Sequence, residues 1–549
     1  MHSLIRTFVP PLLALALYLP LPSIASPATL ATHTNIELKR RVEALERGEQ
    51  TRAAGEELIS RVAVPLVYQA RGYGLLWEDA ARRAALLETV RAAEEDGLRP
   101  EDYHLEALVR LQSAPAADVE ADLVATDAFV MLLYHLYLGK VDPYAIEPTW
   151  NFPLRSLREQ AALDLVLKAL ADGHIREATD SVRPSHRLYQ HGIEALAHYR
   201  ELARAGGWIA IPSGAKLRPG DLDPRVPALR RRLAVEGDYV GAASESADYD
   251  EPLVGAMKAF QARHLLEPDG TMGPGTLREL NVSVTARVDQ LRINLERARW
   301  VLHQVGSGDL VIVDIAGYGV RYLRDGKVIW RARAIVGQPV RQTPEFRADI
   351  TNVVLNPTWT VPPTIFAKDI LPELQRGGNV LERKKLVVLD RKGKPVDPAG
   401  LPWASYTARN FPFFLRQEPG ETNALGRVKI NFPNPHMVYL HDTPTRSLFD
   451  KSGRTFSSGC IRVDRPLELA ELLLADPAQW NLQAIHAAVD GGTNRTLMLA
   501  HQVPVLLIYW TADADPDGRV IFKPDVYHRD ARLQRALDGR FSFGSRVKA

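Results

Sequence analysis

The stretch Leu310–Gly337, LVIVDIAGYGVRYLRDGKVIWRARAIVG, decides the architecture of the second half of the chain. Two alternating, β-branched runs flank Arg324-Asp325-Gly326-Lys327, and this is the pattern of two strands joined by a tight hairpin turn. A β domain therefore begins near Asp309. It continues through ITNVVLNPTWTVPP (350–363), is interrupted by an insertion at about 371–427, resumes at VKINFPNPHMVYLHD (428–442) and is expected to end near Asp490. The last segment, residues 491–549, is strand-like around Asp515-Pro516-Asp517-Gly518. It is expected to close the same sheet and to pack on both this domain and the helical region upstream.

Upstream the period changes. Residues 34–205 are rich in Ala, Leu, Glu and Arg with apolar positions three and four apart, as in ARRAALLETVRAAEEDGL (81–98) and FVMLLYHLYLGKV (129–141), so the region reads as all-helical. Residues 217–280 form a second unit. Leu229 and Leu233 mark one amphipathic helix, Val254, Met257, Phe260 and Gln261 a second, and a third is expected near Thr276 as its cap. A helix-like segment, VTARVDQLRINLERARWVLHQ (284–304), joins this bundle to the β domain. The fold class is multidomain α+β: an all-α N-terminal region, a small three-helix bundle, and a mainly-β domain with an inserted subdomain.

Composition narrows the function. The 549 residues are 46% hydrophobic and 24% charged, with 68 Lys plus Arg against 66 Asp plus Glu, a net charge of +2. Such a chain buries several cores, and nothing in its charge attracts nucleic acid. Residues 1–25 carry Arg6, an apolar run from Phe8 to Leu21 and small residues around Ala25, the form of a secretory signal, so export is expected. No later stretch reads as long and apolar enough to span a membrane. Cys460 is the one cysteine, which rules out an intramolecular disulfide and a cysteine zinc cage.

That thiol lies in HMVYLHDTPTRSLFDKSGRTFSSGCIRV (436–463). A thiol becomes a nucleophile when a base takes its proton and amide N–H groups await the oxyanion, and Gly459 allows close backbone approach. His436 and His441 are the candidate bases. They point to opposite strand faces, and His441, at a strand end before Asp442-Thr443-Pro444, is favoured. Tyr439 shares its face, and Cys460 shares one with Arg462, so the four can line a cleft. Asp442 points away. A lone cysteine is also commonly a buried hydrophobe and a strand histidine commonly structural, so spacing alone leaves both readings open.

This segment resembles the L,D-transpeptidase catalytic domain, whose signature of histidine, serine or threonine, glycine, cysteine and arginine is met by His441, Ser457, Ser458, Gly459, Cys460 and Arg462. Ser458 departs from the family's usual histidine, as in its large multidomain members. The resemblance extends to IVGQPVRQTPEF (335–346), to VVLNPTWTVPPTI (353–365) and to the insertion, a capping lid in the family. GLLWEDAARRAALL (74–87) and DGLRPEDYH (96–104) resemble the helical scaffold of the same enzymes. Ala256, Phe260-Gln261, Asp269-Gly270, Gly273 and the run from Thr276 to Leu280 resemble a peptidoglycan-binding domain.

The resemblance implies Cys460 as nucleophile, His441 as base and acid, and backbone N–H groups of Ser458, Gly459 and Cys460 as the oxyanion hole. It also implies direct diaminopimelate cross-linking of peptidoglycan stems with release of D-alanine, acylation by carbapenems, a periplasmic location, and no metal or organic cofactor. Tyr439, Arg462, Asn356 and Trp359 are candidate substrate contacts, each equally explicable as a packing, ion-pair or turn residue. An L,D-carboxypeptidase, a hydrolase releasing wall proteins and a non-enzymatic wall-binding scaffold are the alternative functions.

Overall fold

The computed structural model describes residues 27–115, 118–515 and 518–541; the expected signal segment and the end of the C-terminal tail lie outside them. Helices fill Pro27–Arg204, interrupted by one small ribbon, β1 (Arg52–Ala53) with β2 (Glu56–Glu57). The central helix, Val119–Leu138, is long and apolar enough to cross a membrane by length and composition, which corrects the expectation that no stretch past the N-terminus is. Its position follows from its carboxylates. Asp122 accepts the N–H groups of Leu76 (3.0 Å) and Trp77 (2.7 Å) and the Tyr68 hydroxyl (2.7 Å), and Asp127 accepts those of Ile59 (3.0 Å) and Ser60 (2.7 Å). The helix is thus the buried core of the scaffold, with its charges satisfied by neighbouring chain ends.

The small bundle comprises Val226–Val235, Glu251–Arg263 and Pro274–Leu280, closed over Leu229, Leu233, Val254, Met257 and Phe260. Its third helix begins earlier than expected: Gly273 is the cap, Pro274 takes the first position, and Thr276 is buried inside the helix. Gln261 ties the preceding turn together, its amide donating to Asp269 (3.0 Å) and to the Thr271 carbonyl (2.9 Å) while accepting the Gly270 N–H (2.8 Å). The linking helix, Val284–Val301, packs within the scaffold core through Ile293, Leu295 and Trp300.

The β domain contains β3 (Asp309–Asp314), β4 (Gly319–Arg324), β5 (Lys327–Gly337) and β6 (Phe346–Leu355). The insertion adds β7 (Trp359–Thr360), β8 (Val387–Leu389) and β9 (Phe414–Gln417). Then come β10 (Val428–Asn431), β11 (Leu440–His441), β12 (Thr455–Ser457), β13 (Ile461–Val463), β14 (Arg495–Ile508), β15 (Ala512–Ala514) and β16 (Val520–Phe522). The expected β4–β5 hairpin is present, with Asp325 and Gly326 both left-handed at φ 51° and 73°.

The strand order is β12-β5-β13-β11-β10-β6-β14-β3-β4, and β4 also pairs with β5, so the sheet closes on itself. β14 sits between β6 and β3, in the body of the sheet and past the expected domain end at 490; β15 and β16 form a separate ribbon. The two sides of β3 and β14 serve different cores. Val311, Val313, Val505 and Leu507 fill the sheet interior, while Leu310, Ile312, Leu506 and Ile508 join the scaffold core. The insertion has its own three-stranded sheet, β7-β9-β8, and its own core, which recruits Trp359, Val361 and Phe366 ahead of the expected boundary at 371.

Candidate active site

Three adjacent short strands carry the site. β11 runs parallel to β13 with His441 opposite Arg462, and antiparallel to β10 with His441 opposite Lys429. Side chains at paired positions share a face, so Lys429, His441 and Arg462 stand in a row. One step before His441 on the same face is Tyr439, whose ring meets the imidazole edge-on at 5.6 Å. Cys460 immediately precedes β13, and its sulfur lies 3.7 Å from the Met437 carbonyl and within hydrogen-bonding reach of Tyr439. Met437 is left-handed (φ 54°), a conformation that few residues adopt without cause.

His441 is buried, and its Nδ1 lies 2.5 Å from the Asp442 backbone carbonyl. A carbonyl only accepts, so Nδ1 carries the proton and Nε2 presents a lone pair. Burial, reinforced by the Arg462 charge, pushes the imidazole down to about 3, and burial pushes the Cys460 thiol up. At neutral pH the pair rests as thiol and imidazole. The Asp442 carboxylate faces away, accepting the Arg427 N–H (2.9 Å) and the Arg446 guanidinium (3.0 Å). His436 packs instead against Phe346 (4.9 Å between ring centroids).

Two cations complete the row. Lys429 lies over the Tyr439 ring at 4.2 Å, and burial holds its ammonium below the ordinary value. Arg462 is held down by burial too, and its Nε has no hydrogen-bond partner among the described residues. Neither makes an ion pair among the described residues. Two desolvated cations beside a thiol, neither in an ion pair among the described residues, have the chemistry to accept a carboxylate. Lys429 escapes sequence reading because only the β10–β11 register sets it opposite His441; the available signal was a lysine between the buried Val428 and Ile430.

Three expectations change. Gly459 keeps the left-handed backbone that requires glycine (φ 115°), but its N–H donates to Ser457 Oγ at 3.1 Å, so it is already engaged and unavailable to an oxyanion. Asn356 is buried, its side-chain amide donating to the Val489 carbonyl at 2.9 Å and its backbone carbonyl accepting from the Asn494 side-chain amide at 2.8 Å; it joins strand to helix end and faces no cleft. Trp359 is buried in the insertion core and hydrogen-bonds Tyr439, so it supports the site from behind. Ser458 is exposed, its Oγ accepting from Arg341 at 3.0 Å, and Arg341 in turn pairs with Asp369 of the insertion at 2.5 Å.

Known families match the chain in three places: a scaffold domain over residues 62–196, a domain described as "Putative peptidoglycan binding domain" over 223–280, and the L,D-transpeptidase catalytic domain over 308–493. The last of these matches assigns residues 308–493 to the L,D-transpeptidase catalytic domain. A protein of Haemophilus influenzae named "Putative L,D-transpeptidase" is 34% identical over 261 residues, which are 48% of this chain and 51% of that one. The chain thus matches about half the length of this curated relative. Among solved structures, an L,D-transpeptidase of Xylanimonas cellulosilytica is 16% identical and one of Stackebrandtia nassauensis 14%. The first match covers 54% of this chain and 99% of the other at a TM-score of 0.18, the second 55% and 96% at 0.21.

Proposed function

We propose that this protein is a murein L,D-transpeptidase that works outside the cytoplasm, joining diaminopimelate residues of neighbouring peptidoglycan stems. The observation that carries the reading is a thiol and a neutral imidazole that both meet Tyr439 on adjacent strands, alongside Lys429 and Arg462, which make no ion pair among the described residues. His441 takes the Cys460 proton as sulfur attacks the L-centre carbonyl of a tetrapeptide donor. The oxyanion is received by the N–H groups of Ser458 and Cys460, Gly459 being engaged elsewhere. The C–N bond breaks, His441 returns the proton to the leaving D-alanine amine, and a thioester remains. The side-chain amine of a second stem then attacks, its proton passing to His441, and the thiol is restored.

Arg462 and Lys429 hold stem carboxylates, Tyr439 steadies the sulfur, and the bundle at 217–280 holds the polymer. The same thiol is expected to be acylated by carbapenems, and no step needs a metal or an organic cofactor. The test is incubation with disaccharide-tetrapeptide and mass spectrometry of the products, beside Cys460→Ala. Cross-linked dimers that vanish in the variant support the reading. Tripeptide alone identifies an L,D-carboxypeptidase, and dimers that persist in the variant remove Cys460 as nucleophile. A carbapenem adduct retained by Cys460→Ala would do the same.

A further inference from the structure

The loop after β5 meets the C-terminal segment behind the thiol. There Thr343, fully buried, accepts the Gly337 N–H at 2.9 Å and gives its hydroxyl proton to the Gly459 carbonyl at 2.9 Å. Tyr527 makes the complementary pair: its hydroxyl donates to the Gly337 carbonyl at 2.7 Å and accepts the Thr343 N–H at 3.1 Å. Each hydroxyl has one bond in and one out, so neither proton is free to rotate. The loop is tightly wound as well, since a Cβ on Gly337 would come within 2.2 Å of the Arg341 carbonyl. Arg529, two residues after Tyr527, reaches the same loop at Gln342 (3.1 Å) and Glu345 (3.1 Å).

We infer that Thr343 is a positioning residue for the Cys460 N–H, and that Tyr527 of the C-terminal segment holds Thr343 in place. The argument rests on the proposed acyl transfer and on the planarity of the peptide bond. In a trans peptide the carbonyl and the following N–H lie in one plane and point oppositely, so fixing the Gly459 carbonyl aims the Cys460 N–H. Glycine leaves that plane unusually free to turn. Ser457 Oγ holds the neighbouring groups, accepting from the Gly459 N–H and donating to the Cys460 carbonyl at 2.5 Å. Among the described residues the Gly459 carbonyl itself is held by Thr343 alone.

The test uses the full chain with Thr343→Val, Thr343→Ser and Tyr527→Phe. It reads single-turnover acylation by disaccharide-tetrapeptide and hydrogen exchange over residues 455–463. Losing an oxyanion donor costs about 100- to 1,000-fold, and a misaimed donor should cost less. Thr343→Val is expected to slow acylation about 30-fold at saturating substrate, with KM within about twofold, and to speed exchange at the Cys460 amide. Thr343→Ser, which keeps the hydroxyl, should stay within about threefold of wild type, and Tyr527→Phe should fall between them. Wild-type acylation in Thr343→Val, or no recovery in Thr343→Ser, overturns the inference. If Thr343→Val does not fold, Tyr527→Phe acylating and exchanging like wild type overturns it instead. If wild type forms no acyl-enzyme, it is the proposed function that fails, and unchanged Cys460 exchange in Thr343→Val still overturns the positioning role.

Discussion

Cys460 and His441 rest uncharged, and the reason is desolvation: burial raises the thiol and lowers the imidazole, so a thiolate–imidazolium pair is unfavourable before substrate arrives. Iodoacetamide reacts with the thiolate, so alkylation of Cys460 should climb with pH to an inflection above that of an ordinary cysteine. Lys429 and Arg462 both pull the thiol down, so Arg462→Gln should move that inflection further up; a downward move would contradict the electrostatics described. The same variant should raise KM for a tetrapeptide donor about 10-fold, the cost of one charged hydrogen bond, with Tm nearly unchanged. Cys460, His441 and Gly459 were legible in the sequence because thiol, base and left-handed glycine are marked by residue type within a short span. Lys429 and the engaged Gly459 N–H were not, because one depends on strand register and the other on where the Ser457 hydroxyl turns.

The insertion acts through Tyr439. This side chain packs against the insertion core, receives a hydrogen bond from Trp359 and reaches Cys460, so the insertion core lies against the residue that covers the thiol. Thr360 pairs with Arg416, and the Val361 N–H bonds the Leu415 carbonyl at 2.8 Å, which makes this neck a natural place to cut. Replacing 361–414 with a short Gly-Ser turn should leave the closed sheet folded and lower the alkylation inflection, because the largest influence raising it, desolvation, is relieved. An unchanged inflection would show that the insertion does not shield the sulfur. The Arg341–Asp369 pair is partly exposed, and Asp369→Asn should change stability by less than about 1 kcal/mol. The sequence located the insertion but started it late. Trp359 and Val361 read as part of the continuing β domain, and only packing reveals that they turn into the insertion's own core.

At the scale of the molecule, the scaffold and the β domain share β3 and β14, so their unfolding should appear as one calorimetric transition; two resolved transitions would contradict this coupling. The bundle is tied in through Glu236, which binds Arg232 at 2.5 Å and Arg263 at 3.4 Å and accepts the Tyr199 hydroxyl of the scaffold. Burial alone would raise this carboxyl, but Arg232, Arg263 and His264 outweigh it and hold it at about 2. Its folded value is depressed, so the stabilisation, of order 3 kcal/mol, is present above about pH 4.5 and lost as pH falls toward 2. Glu236→Gln should flatten the acid limb of a Tm-versus-pH curve in that window. The scaffold, bundle and β domain were legible from periodicity, but their sharing of strands was not, since β3 is apolar at successive positions and such a run names no partner for either face.

The place of β14 has a further consequence for the order in which the chain becomes competent. Every residue of the thiol–imidazole motif precedes residue 493, yet β6 and β3 meet only through a strand that begins at Arg495, and Tyr527 comes later still. A nascent or nicked chain ending between them would carry the full signature in its sequence and have no closed sheet on which to mount it. The thiol and imidazole would gain their mount only once the strand that begins at Arg495 had been added to the sheet.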